Sequence, residues 1–243
     1  MKTNLTLTMI LVFVLTIALT PLVFAQTATV GVNPGSTYDY TYKVNWDSTD
    51  PSASVPNLYT ELNDTQFIRI TIVDVTGTKI NVDYTRHFNN GTEQTQNGNI
   101  DIQTQLIEIP YGDLIIRAGA NSGEKIYPDG GHATLSDVAT RTYSYGQVQT
   151  IKFAFEDTSS SNSLNTEIFY NKANGVGVEY NTIAQDTSGA FVTTVKETLL
   201  LTSGVVPEFP TTAALMLLLI AIPIVVIAYK KKALSKPKFN NFF

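Results

Sequence analysis

The chain has 243 residues, no cysteine, two histidines and a formal net charge of −5. Without cysteine, a disulfide scaffold, thiol catalysis and thiolate metal sites are excluded together. All 21 acidic residues fall between 26 and 210, against ten Lys and Arg there; a stretch near −11 does not suit nucleic acid, which rewards a basic patch.

Lys2 gives a short positive start, Met9 to Leu19 an apolar stretch, and Val23-Phe24-Ala25 a small-residue exit. Residues 1–25 therefore read as a secretory signal helix cleaved after Ala25. Residues 26–203 follow as one exported domain, large enough to bury a core without staples.

That domain reads as β-structure. In STYDYTYKVNW, Tyr38, Tyr40, Tyr42, Val44 and Trp46 alternate with polar partners, the period of a half-buried strand. QFIRITIV repeats the pattern with Ile68, Ile70 and Ile72, and Thr76-Gly77-Thr78 turns into KINVDYTRHF, where Ile80, Val82, Tyr84 and Phe88 share a face. Asn89-Asn90-Gly91 is a tight-turn signal, since Asn and Gly accept positive φ at low cost. GDLIIRAGA suits one helical turn or a strand, and ATLSDVATR a short helix. RTYSYGQVQTIKFAF holds two alternating stretches around Gly146, TEIFYNKANGVGVEYNT is a hairpin turning at 172–175, and FVTTVKETLLLT is a last strand. The expected fold is all-β: an antiparallel sandwich, barrel or curled meander of roughly eight to eleven strands.

After a spacer at 204–210, residues 211–229 are uncharged and apolar. At ~1.5 Å per residue these positions reach roughly 28 Å, one hydrocarbon core, so a single C-terminal transmembrane helix is expected. Lys230, Lys231 and Lys232 open a basic tail at 230–243 that belongs on the cytoplasmic side and sends the domain outward.

Candidate chemistry is sparse. His87 and His132 lack any His-x-His or His-x-x-x-His spacing, no metal or cofactor site is expected, and Ser136 and Asp137 are merely sequence neighbours of His132. No Gly-x-Ser-x-Gly elbow or phosphate loop occurs, so no catalytic residue is assigned. Asp47-Ser48-Thr49-Asp50 offers oxygen ligands without the spacing of an EF-hand. Tyr38, Tyr40, Tyr42 and Trp46 form a stripe that is either core or the lining of an apolar cavity. Asn63 (Asn-Asp-Thr) and Asn90 (Asn-Gly-Thr) are glycosylation sequons, Asn90 on a hairpin tip.

The succession Val206-Pro207-Glu208-Phe209-Pro210, then the span 211–229, then Lys230–Lys232 resembles the PEF-CTERM sorting signals of archaeal surface proteins. The resemblance implies that Pro207, Glu208, Phe209 and Pro210 are read by an archaeosortase-type membrane transpeptidase, which removes the span and transfers the protein to another anchor. The aromatic strand from Gly31 to Trp46 and the Asn-Gly-Thr-Glu turn at 90–93 resemble archaeal surface domains with no assigned activity. The expected function is a non-catalytic cell-surface protein with an envelope or adhesion role, its partners the membrane and other envelope components. The alternative is a binding module holding an apolar or lipid ligand in a curled sheet.

Overall fold

The computed structural model describes residues 27–203 apart from 132 and 160. The signal, the Pro207–Pro210 quartet, the span, Lys230, Lys231 and Lys232, and His132 lie outside the described residues. Among the described residues no helix is long and apolar enough to cross a membrane.

One ten-stranded antiparallel sheet organises the domain. Its strands are β1 (Thr37–Ser48), β2 (Thr65–Thr76), β3 (Lys79–Phe88), β4 (Glu93–Asp101), β5 (Leu106–Ile107), β6 (Leu135–Tyr143), β7 (Gly146–Thr158), β8 (Asn162–Asn171), β9 (Gly177–Asp186) and β10 (Thr193–Leu201). The spatial order is β5-β4-β3-β2-β1-β10-β9-β8-β7-β6. The first and last strands therefore meet in the middle, and each half runs outward from them as a meander. The sheet does not close: β5 and β6 are its two edges.

Alternation dictates the faces. Tyr38, Tyr40 and Tyr42 are 4%, 1% and 9% exposed, and Ile68, Ile70, Ile72, Ile80 and Val82 at most 1%. They share the core face, as their period of two requires. What covers that face is the connection from β5 to β6, which must travel from one edge to the other. A 3-10 turn at Gly112–Leu114 and the buried run Leu114, Ile115 and Ile116 cross the face, and Ile115 bridges Val176 in the β8–β9 turn. The expected one-turn helix or strand in GDLIIRAGA thus becomes a 3-10 turn followed by a single bridge.

The ring of Tyr111, in this connection, lies 6.3 Å from that of Tyr84 on β3 and 5.8 Å from that of Tyr180 on β9. Those strands are four apart in the sheet, so Tyr111 gathers side chains from both halves of the core face. The all-β antiparallel expectation is met by ten strands in one sheet that does not close.

Two local expectations differ. ATLSDVATR does not form a helix; its residues from Leu135 belong to β6, which pairs with β7 through a bulge at Asp137 (φ 39). Pairing satisfies the backbone of both strands, which outweighs the modest helical preference of Ala and Leu. Conversely, a seven-residue helix, α1 (Asn57–Asn63), stands in the polar connection after β1. β1 pairs with β2 only from Thr37 to Thr41, and beyond that Asn63 Oδ1 accepts the Val44 N–H at 3.1 Å, in place of a ladder partner. β4 has no apolar alternation from Glu93 to Asn97, yet it pairs with β3 throughout, completing the hairpin whose tip carries Asn90.

The two ends of the sheet differ in what they carry. Thr202 N–H donates to Asp39 O at 2.8 Å, so the chain leaves beside the start of β1. Residues before β1 pack across the same rim: Ala28 N–H donates to Gln103 Oε1 at 2.7 Å, and Ala118 N–H to Thr29 O at 2.8 Å. Residues 27 and 203 therefore both lie at this rim. The opposite rim holds α1, the β3–β4 turn with Asn90, the β7–β8 turn and the β9–β10 turn.

Candidate functional site

Glu197 is the one carboxylate of β10, and its register opposite Val44 puts it on the core face. Tyr111 reaches it from the connection, in a left-handed backbone conformation (φ 54) that a tyrosine rarely adopts. The Tyr111 hydroxyl donates to Glu197 Oε1, and its ring also meets Tyr42 edge-on at 6.2 Å. Burial, then the Glu197 hydrogen bond, raises the Tyr111 pKa far above the ordinary phenol range; burial lifts Tyr84 to about 12. These phenols stay protonated and act as donors. Asp113, two residues on, is half-buried, and desolvation with the Glu197 charge raises its pKa to about 6. Tyr170 OH donates to Asp113 O at 3.0 Å, and Tyr40 OH to Gly177 O at 2.9 Å. The cluster pins the connection onto the sheet by polar contacts made inside the aromatic layer.

Beyond Tyr111, towards α1, the connection no longer covers the core face. An open groove of about 470 Å3 remains, floored by Leu164, Ala184 and Val195 and walled by Tyr59, Asp157, Asn162, Asp186 and Thr193. Hydrogen bonds from the Ser188 hydroxyl and N–H hold Asp186 below the usual carboxylate range. Among the described residues, the charged side chains lining this groove are the carboxylates Asp157 and Asp186. A second groove, about 590 Å3, opens on the outer face below the β6–β7 hairpin. There Arg141 Nη2 bonds Glu179 Oε2 at 2.9 Å and its guanidinium lies 3.8 Å from the Phe169 ring. A twisted sheet is saddle-shaped, and hence each face is concave along one diagonal.

The residues singled out in the sequence separate under this geometry. Tyr38, Tyr40 and Tyr42 are packed beneath the connection, and neither groove is lined by them. Trp46, opposite Val195, is half-buried at the uncovered end of the same stripe. Asn90 is exposed in its turn, its Oδ1 accepting the Thr92 N–H at 2.9 Å and the Thr92 hydroxyl at 2.7 Å. Asn63 is committed to Val44, and Thr65 of its sequon is buried, accepting from Arg86 Nε at 2.5 Å. His87 stacks on Phe67 at 4.5 Å and meets Glu93 Oε1 at 3.0 Å. Asp50 Oδ1 accepts the Ser52 N–H and hydroxyl, the geometry of a turn. Among the described residues no group of three or more His, Cys, Asp or Glu is arranged to hold a metal ion.

Sequence reasoning missed Tyr111, Asp113, Arg117 and Glu197. Tyr111 and Asp113 sit in a stretch of no period, and Glu197 is one of many acidic residues. Arg117, 4% exposed, was signalled only by standing at the end of Leu114-Ile115-Ile116. No family model, curated protein or solved structure matches the chain.

Proposed function

We propose that this protein is a non-catalytic, membrane-held surface module that presents the α1 rim of its sheet to other components of the envelope. The observation carrying this reading is that both ends of the described chain leave at one rim, Thr202 being bonded to Asp39 at the start of β1. In this reading the apolar, basic-tailed segment 211–229 follows in sequence from that rim and anchors the chain, and α1, Asn90 and the 470 Å3 groove lie at the opposite rim of the domain. Exposed Val55, Leu58, Phe191 and Val192 at the far rim, 49%, 59%, 47% and 36% open, suit contact with a partner. In this reading the signal at 1–25 is removed, Lys230, Lys231 and Lys232 hold the tail inside, and Pro207 to Pro210 is the site an archaeosortase-type enzyme reads. The buried tyrosines are core, so a lipid held under the sheet draws no support from them.

Intact mass of the native protein extracted from membranes, with external proteolysis of whole cells, tests this. The expected result is a chain beginning at Gln26 and a domain degraded from outside. A chain retaining residues 1–25 with a domain protected until lysis would overturn the reading.

A further inference from the structure

The two edges of the sheet leave complementary backbone groups unpaired. On β4, Asn99 turns its N–H and C=O away from β3: Glu108 N–H donates to Asn99 O at 3.0 Å, and Asn99 N–H to Glu108 Oε2 at 3.0 Å. In an antiparallel ladder this outward direction recurs at every second residue, so Glu93, Thr95 and Asn97 point the same way. β5 covers only Ile100 and Asp101, and residues 93–97 are all exposed.

On β6, Leu135 turns outward to Glu124 and Gly123. Past the bulge, Val138, Thr140 and Thr142 stand opposite Ile151, Gln149 and Gln147, the same alternate set of β7 that faces Leu135. Their N–H and C=O groups therefore also face outward, and all three residues are exposed. Neither edge carries the proline or lysine that commonly blocks edge pairing.

Register and direction then match. Gln94, Arg86, Ile68, Tyr40 and Leu201 stand in one row, and on the other side Tyr170, Ile151 and Val138 continue it to within a residue. Hence 94–97 and 138–141 lie at one height on opposite edges. Both β4 and β6 run from the α1 rim towards the rim of the chain ends. Copies standing side by side in one orientation bring them together in parallel. In a parallel pair an outward residue sits beside an inward one with side chains on the same face. Thr95 is outward and on the outer face; so is the side chain of Ala139, an inward residue. Setting Thr95 beside Ala139 continues the sheet with both faces kept.

We infer that the partner of these edges is a second copy of this chain, β4 of one molecule adding to β6 of the next. This rests on the surface reading above, in which all copies are held at one membrane. The contact is heterologous, so it propagates to a row or a ring and does not stop at a two-fold dimer. The bulge at Asp137 and the twist turn each copy relative to the last.

The absence of cysteine allows a direct test. Thr95→Cys and Ala139→Cys are placed on separate full-length chains, co-expressed and oxidised in membranes. Parallel neighbours sit about 4.8 Å apart, inside the range a disulfide spans. The expected result is a cross-linked pair when both variants are present and none with either alone; adding Thr140→Pro or Thr95→Lys to the chain concerned lowers the yield to that of the single variants. Thr140 N–H faces away from β7, so proline there removes no internal hydrogen bond, and the lysine variant does not depend on that. Labelling both cysteines from outside with an impermeant maleimide but finding no cross-link overturns self-assembly and leaves surface display standing. Cross-linking of Thr95→Cys to itself overturns the heterologous pairing. Failure to label in whole cells overturns the surface reading and this inference with it.

Discussion

Glu124→Ala should cost more than any other substitution of a charged residue in the connection. Arg117 has a side chain only 5% exposed, and its Nη2 bonds Glu124 Oε2 at 2.7 Å and Lys125 O at 3.2 Å. Its Nε has no partner, so the guanidinium has little reserve. Removing one member of a buried pair costs about 3–5 kcal/mol because the remaining charge is stranded. The retained Lys125 carbonyl places this case near about 3 kcal/mol. Glu124 also accepts the Asn121 N–H at 2.8 Å, and its own carbonyl accepts Leu135 N–H, tying the clasp to β6. For a chain of this size about 3 kcal/mol corresponds to a fall in Tm of roughly 6–12 °C. The assay is thermal unfolding of the full chain in detergent, followed by circular dichroism, for Glu124→Ala and for the double variant Arg117→Leu, Glu124→Ala. The double variant should recover most of the loss, since no charge is left buried. A loss under about 1 kcal/mol in the single variant would mean Arg117 is hydrated and would refute the reasoning.

Three further outcomes follow from other parts of the fold. Folding raises the Asp113 pKa from 3.8 to about 6, so the folded chain holds the proton more tightly and this group adds stability as pH falls from 7 through 6. Asp113→Asn should raise Tm at pH 7.5 and flatten its dependence between pH 7.5 and 5; an unchanged slope would show the carboxyl to be hydrated. Asn90→Gln should remove one glycan from the native mass with little change in Tm, whereas Asn63→Ala should leave the mass otherwise unaltered and cost about 1 kcal/mol through the orphaned Val44 N–H. Gly175 has φ 74, and a Cβ there would meet Ile116 O at 2.2 Å, so Gly175→Ala should lower Tm sharply; a loss as small as that of Ser144→Ala in the exposed β6–β7 turn would contradict the close packing of turn and connection.

Acid should weaken the clasp as well. Partial burial works against ionisation of Glu124, but hydrogen bonds from Asn121 and the Arg117 charge outweigh it and hold the carboxyl below its ordinary 4.5. The stability it contributes is present above that value and disappears as pH falls through the depressed one, measurable as an Arg117–Glu124-dependent loss of Tm in acid.

The strands were legible in the amino-acid order because alternation is a local property. Tyr38, Tyr40 and Tyr42, or Ile68, Ile70 and Ile72, announce a buried face wherever the strand is placed. The Asn-Gly turns were legible for the same reason, since positive φ is a one-residue requirement, met at Gly91 and Gly175. The hairpin turn at Asn90 and the alternation in Arg141–Tyr143 announced parts of β4 and β6. Their full extent was hidden because residues towards the sheet edges need no apolar side chains; pairing with β3 and β7 makes them strands. Order within the sheet was equally hidden. That β1 meets β10, that the β5–β6 connection must therefore cross the core face, and that Tyr111, Asp113 and Glu197 converge are consequences of long-range pairing, between residues as far apart as 86 positions in the case of Tyr111 and Glu197. Periodicity decides which side of a strand is apolar; only the closure of distant strands, each a loop-entropy cost offset by shared burial, decides what that side faces.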